Sequence, residues 1–187
     1  MGQAEQIREV ASAAVAGSGV VVEDVAVHPA GKRRLVRVGV ARDVADLPSD
    51  DLTSTVEPLT LDEVAEASRA VGAAMDEVDP LGNLAYTLEV SSLGVDHPLT
   101  TPAQFRRNVG RLVKLEVSAP PASGAEATQP APTRASGITA GPIEGRLIEV
   151  GPDGIRLDEA PDDLLPYDRV SAAKVQVEFT RPGGKDD

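Results

Sequence analysis

The chain has 187 residues and a formal net charge of −12, with 41% hydrophobic and 2% aromatic residues. That length suits one large or two small domains, whose cores must rest on Val, Leu, Ile and Ala. The acidic balance opposes wrapping a phosphate backbone; it suits plain solubility first and also a basic protein partner, while the absence of cysteine excludes disulfide and thiolate chemistry. No apolar stretch reaches the roughly 18 residues of a membrane span, and MGQAEQIREV lacks the basic and apolar regions of a secretory signal.

In chain order, Ile7, Val10, Ala11, Ala14 and Val15 recur at helical spacing before Gly17, which predicts a helix over 4–16. VVVEDVAV (20–27) is β-branched and reads as a strand, and His28 to Arg34 reads as a hairpin turn because it holds Pro29 and Gly31. In LVRVGVA (35–41), Val36, Val38 and Val40 share one face and Arg37 the other, as a half-buried strand requires. Residues 43–59 are acidic without a clear period and read as a surface loop. Thr60 and Glu63 fit a capping box, followed by a helical stripe of Val64, Ala67, Val71, Ala74, Met75 and Val78 that Pro80 and Gly82 end. LAYTLEVS (84–91) alternates as a strand with one buried face. Helix, strand, strand, helix, strand gives an α+β domain over 1–92: a three-stranded sheet with two helices on one face.

The second half differs. Residues 93–101 read as a linker. Thr101 and Pro102 open a short helix through Gln104, Phe105 and Arg106, and RLVKLEVS (111–118) is a strand. Residues 118–141 are low-complexity and expected to be a disordered loop. Short strand-like pieces follow at 143–150, 154–157, 164–167 and 174–179, split by turn residues, so 102–187 reads as a small β-barrel domain.

The stretch SSLGVDHPLT (91–100) brings Ser91, Ser92, Asp96 and His97 together. A hydrolase triad needs the histidine within reach of both serine and acid. Asp96 and His97 are neighbours, Pro98 pushes His97 toward extended backbone, and neighbouring side chains then point apart. Ser91 and Ser92 also lack a Gly-x-Ser-x-Gly elbow. No catalysis is expected. The only histidines, His28 and His97, are far apart and lack paired ligand spacing, so neither a metal nor another cofactor is expected. The stretch is read instead as setting domain placement through Ser92, Gly94, Asp96, His97 and Pro98, with Gly94 in a conformation closed to other residues and Asp96 bonding loop N–H groups. Two basic clusters, Lys32-Arg33-Arg34 and Arg106, Arg107, Arg111 and Lys114, are candidate phosphate contacts set against the bland reading of solvated surface.

EVSSLGVDHPL followed by FRRNVGRLVKLEV resembles the bacterial ribosome maturation factor RimP family. Ser91, Ser92, Gly94, Val95, Asp96, Pro98 and Leu99 match its Ser-Ser-Pro-Gly-apolar-acidic-Arg-Pro-Leu linker, and Phe105, Gly110, Leu112 and Val113 match its Phe-x-Arg-x-x-Gly-apolar segment. Leu93 stands at the usual proline and His97 at the usual arginine. The match is specific over 84–117, rests on element order elsewhere, and leaves 43–59 and 118–141 looking like insertions. The resemblance implies an N-terminal α+β domain and a C-terminal SH3-like or Sm-like barrel. It implies a non-enzymatic, cytoplasmic factor that binds the small (30S) ribosomal subunit, both rRNA and protein, and assists small-subunit protein twelve, a basic protein; a monomer is expected apart from the resemblance. The basic clusters would be its ribosome contacts. A general RNA-binding module using the barrel is the alternative, and a serine hydrolase ranks last.

Overall fold

The computed structural model describes residues 2–82, 84–119 and 138–178. The chain divides into two units: Met1–Leu47 with Glu57–Gly94, and Pro48–Val56 with Val95–Asp187. Pro48–Val56, read from the sequence as part of a surface loop, is thus a piece of the second unit.

The first unit contains α1 (Gln3–Ala14), β1 (Val20–Ala30), β2 (Arg33–Arg42), α2 (Leu61–Val78) and β3 (Tyr86–Ser92). The sheet order is β1-β2-β3, with β2 antiparallel to β1 and parallel to β3, so α2 is the crossover that a parallel pair requires. Val36, Val38 and Val40 of β2 are buried while Arg37 is exposed on the opposite face. Against these valines lie Ile7, Ala11 and Val15 from the α1 segment and Ala67, Val71 and Met75 from α2, each set spaced by four residues. Both helices therefore share one core with one sheet face. At β1 the register slips between Val22 and Asp24. The bulge leaves Glu23 outside the ladder, and its carbonyl accepts a 3.0 Å hydrogen bond from Arg8 Nη1.

The hairpin is shorter than the sequence predicts. Strand pairing runs through His28, Pro29 and Ala30 to Arg33, leaving Gly31 and Lys32 as the turn, with Gly31 at φ 63°. Glycine at the first position of a two-residue turn suits the twist of the flanking strands. Pro29 is tolerated because β1 is an edge strand, where a missing N–H breaks no interior ladder. The capping box forms as expected: Thr60 N–H donates to Glu63 Oε2 at 2.8 Å and Glu63 N–H donates to Thr60 Oγ1 at 3.2 Å. Asp79, in left-handed backbone, ends α2 by donating its N–H to the Met75 carbonyl.

The second unit contains α3 (Pro102–Arg106), β4 (Leu112–Val117), β5 (Gly141–Val150), β6 (Gly154–Leu157), β7 (Ala160–Pro166), a 3₁₀ turn (Tyr167–Arg169) and β8 (Val170–Val175). Its five strands form an antiparallel sheet in the order β7-β6-β5-β4-β8. Among the described residues no pairing joins β7 to β8, so the strand pairing shows an antiparallel sheet and does not by itself close the small barrel that the sequence predicts. Val113, Leu115, Leu147, Ile155, Leu157 and Leu165 form its core, and α3 adds Phe105, whose ring lies 5.7 Å from that of Tyr167. Gly154 has to be glycine, since a Cβ there would strike the Leu165 carbonyl. Two strands depart from expectation. β7 begins at Ala160 and runs through Pro161, which an edge strand tolerates, and β8 begins at Val170. Most of the predicted disordered loop, and Phe179, lie outside the described residues.

Candidate functional site

The stretch 91–100 does not assemble a triad. Ser91 and Ser92 end β3, pairing with Gly39 and Val40, and both are exposed. They belong to the first unit, and Asp96 and His97 to the second. Leu93 packs where Gly39 leaves room: a Cβ on Gly39 would meet Leu93 Cδ2 at 2.5 Å. The sequence reading missed Gly39, although a lone glycine inside a β-branched strand marks close approach. Gly94 corrects an expectation. Its φ lies outside the left-handed region, and a Cβ there meets nothing within 4 Å. Asp96 corrects another: it is exposed, and among the described residues its carboxylate accepts no hydrogen bond from a loop amide. His97 is half-buried and Pro98 exposed.

Leu99 is buried and donates its N–H to the Ala173 carbonyl at 2.9 Å. Gln104 then gathers the start of α3. Its Oε1 accepts from Thr100 N–H at 2.7 Å and from Thr101 N–H at 3.1 Å, while Thr101 Oγ1 accepts from Gln104 N–H at 3.3 Å. This second capping box has the same grammar as Thr60–Glu63, with Gln in place of Glu.

The basic residues sort by what they touch. At the hairpin tip Lys32 and Arg33 are exposed, while Arg34 is half-buried. In the second unit Arg111 is exposed, and Lys114 lies exposed on β4 with Lys174 opposite on β8 and Glu144 opposite on β5. Arg107 is half-buried and has a partner. Arg106 departs from the predicted surface contact, because it is 8% exposed and committed to its own chain. Its Nε donates to the Asp51 carbonyl at 3.2 Å and its Nη1 donates to the Ser54 carbonyl. Its Nη2 faces Asp51 Oδ2 at 3.3 Å, off hydrogen-bond geometry but within ionic reach. A buried guanidinium needs such partners, and the planar fork reaches several at once.

Arg106 thereby holds Pro48–Val56 as a strap on the second unit. The Leu52 carbonyl accepts from Val150 N–H at 2.9 Å, so the strap also continues the backbone bonding of β5. Gly110, at φ 86°, allows the approach: a Cβ there would lie 2.9 Å from Thr55 Cγ2. Hydrogen bonds from Ser54, and more weakly the charge of Arg106, hold the Asp51 carboxyl below its usual range. Two further arginines went unread in the sequence. Arg146 donates to the Gly110 carbonyl at 2.5 Å and pairs with Glu178 at 2.6 Å. Arg169 is buried and donates to the carbonyls of Ser118 at 3.1 Å and Ile138 at 3.0 Å, pinning both ends of the segment between them.

Residues 10–96, which cover most of the first unit, match the family model of the RimP N-terminal domain. The chain is 41% identical over 167 residues to the ribosome maturation factor RimP of Kineococcus radiotolerans, covering 89% of this chain and 74% of that protein. The chain belongs to the RimP family of ribosome maturation factors.

Proposed function

We propose that this chain is a non-enzymatic assembly factor of the small (30S) ribosomal subunit, which binds the subunit and assists incorporation of its basic protein twelve. The observation that carries this reading is the 41% identity with the Kineococcus maturation factor over 89% of the chain. The site of action is the cytoplasm, and the chain works as a monomer without a cofactor. Its net charge of −12 complements a basic protein. The exposed bases Lys32, Arg33, Arg111 and Lys114 are the phosphate-facing contacts, with Arg34 and Arg107 at their margins. Arg106 is withdrawn from that role and acts by shaping the second unit. That unit is read as a small SH3-like or Sm-like barrel, a reading supported by the strand order β7-β6-β5-β4-β8 around a single core. Residues 93–101 serve as a linker where the chain passes from the first unit to the second, and Ser92, His97 and Pro98 set domain placement there, without the special conformation expected of Gly94 or the hydrogen bonds expected of Asp96.

The alternative of a general RNA-binding module is opposed by the aromatic residues. Single-stranded RNA is bound on stacking platforms. Among the described aromatics, Tyr86 donates its hydroxyl to Asp76 at 2.7 Å, and Phe105 and Tyr167 pack on each other. The test is capture of small subunits and of their free proteins by the purified chain at two salt concentrations. Capture that weakens with salt, and weakens further in K32E/R33E and R111E/K114E, supports the reading. Binding of isolated single-stranded RNA with no capture of subunits would replace it by the alternative. Activity lost in S92A, with folding and subunit binding intact, would restore the hydrolase.

A further inference from the structure

A groove of about 760 Å³ lies between α1 and α2 of the first unit. Its origin is visible in the helix periodicity. Both helices send one stripe into the core, Ile7 and Ala11 from α1 and Ala67, Val71 and Met75 from α2. Each carries a second apolar pair one position earlier, Val10 with Ala14 and Ala74 with Val78. One residue is a rotation of about 100°, so these pairs flank the core stripe and line the groove. Alanine at 14 and 74 gives it depth. Val78 is 58% exposed, among the most exposed large apolar side chains described. Glu9 and Asp79 also line the groove.

The surrounding charge is one-sided. The charged residues lining the groove are acidic, Glu9 and Asp79, and on the two helices Glu5, Asp62, Glu66, Asp76 and Glu77 add to Glu9 against Arg8 and Arg69, with Glu63 already paired to Arg42. Arg8 is already directed at the Glu23 carbonyl and Asp24. Such a field repels RNA, and it repels a second copy of a chain whose own charge is −12. It attracts a cationic protein segment, and the apolar floor asks that segment for an aliphatic anchor.

We infer that the α1–α2 groove docks a basic protein segment, seating one aliphatic side chain on Val10, Ala14, Ala74 and Val78 while flanking Lys or Arg residues meet Glu9 and Asp79. The inference rests on the reading that a basic small-subunit protein is a partner, and places its docking on the helical layer. The test uses the isotope-labelled full chain, titrated in turn with each purified small-subunit protein, with polyuridylate, and with itself by concentration. One basic protein shifts the amides of Val10, Ala74 and Val78. V78K and E9K each weaken that binding by about tenfold, the size of one lost anchor or a repelled cation, and V78I preserves it. Unchanged Ile7 and Met75 resonances in V78K show that the fold is kept. Protein binding that leaves the groove amides unmoved, or that V78K does not weaken, overturns the groove and leaves the assembly-factor reading standing. Groove shifts caused by RNA or by self-association overturn it as well. If neither small subunits nor any of their proteins are captured, both inferences fall.

Discussion

Replacing Arg106 by alanine tests the strap. The guanidinium holds two carbonyls, Asp51 and Ser54, and faces the Asp51 carboxylate. A hydrogen bond from a charged donor contributes about 1.5–3 kcal/mol. Two would suggest more than the expected loss, because the strap is at the surface and its carbonyls recover water when it lifts. The expected net cost is therefore about 2–3 kcal/mol, within the range for breaking a buried polar network. It should appear first as local opening. The Val150 amide, bonded to the Leu52 carbonyl, should exchange about 30- to 140-fold faster, since each 1.4 kcal/mol is about tenfold. The Val38 amide, in the core of the first unit, should not change. R106K keeps the charge but loses the fork, and should fall between wild type and R106A. Hydrogen exchange resolved at single amides is the assay. A Val150 exchange rate in R106A equal to wild type would refute the claim that Arg106 holds the strap.

The Glu63 carboxyl is lowered from 4.5 to about 2, first by the Arg42 hydrogen bond and then by Thr60. A depressed carboxyl contributes stability above its unfolded value that is lost as pH falls, so the resistance of the first unit to urea should fall from pH 4.5 toward 2, and E63Q should flatten that slope. T60A should cost about 1 kcal/mol in the same assay, as lost N-caps do. G110A combines a left-handed φ with a Cβ 2.9 Å from Thr55 and should destabilise the second unit by about 1–3 kcal/mol; a neutral result would mean that the strap yields freely. G94A should change the melting midpoint by less than the equivalent of about 0.5 kcal/mol, and a larger effect would show that Gly94 has a conformational role its backbone does not display.

Legibility in the sequence followed the range of the interactions. The first unit was readable because its core is written in local period: Ile7 and Ala11, Val36 to Val40, and Ala67 to Met75 announce their faces within a few residues. Thr60 with Glu63 was readable for the same reason. The strap was not. Residues 43–59 carry no period because what orders Asp51 and Ser54 is an arginine more than 50 positions away. Arg106 looked like half of a basic pair, and nothing local separates it from Arg107. Asp162 and Asp163 hid the start of β7, since an edge strand tolerates charges that a central strand would not. The linker showed the reverse failure: Gly94 and Asp96 carry strong local signals, yet the backbone uses neither.

Because Pro48–Val56 belongs to the second unit, that unit is discontinuous in the chain, and a fragment cut at Val95 is not equivalent to it. Such a fragment would keep Arg106 and lose the Asp51 and Ser54 groups that answer its charge. The same holds during synthesis. The strap leaves the ribosome 52 to 55 residues ahead of the arginine that receives it, so it must wait unpaired while α2 and β3 form. Closure of the second unit thus becomes a late event, one that requires the earlier half of the chain to have been made first.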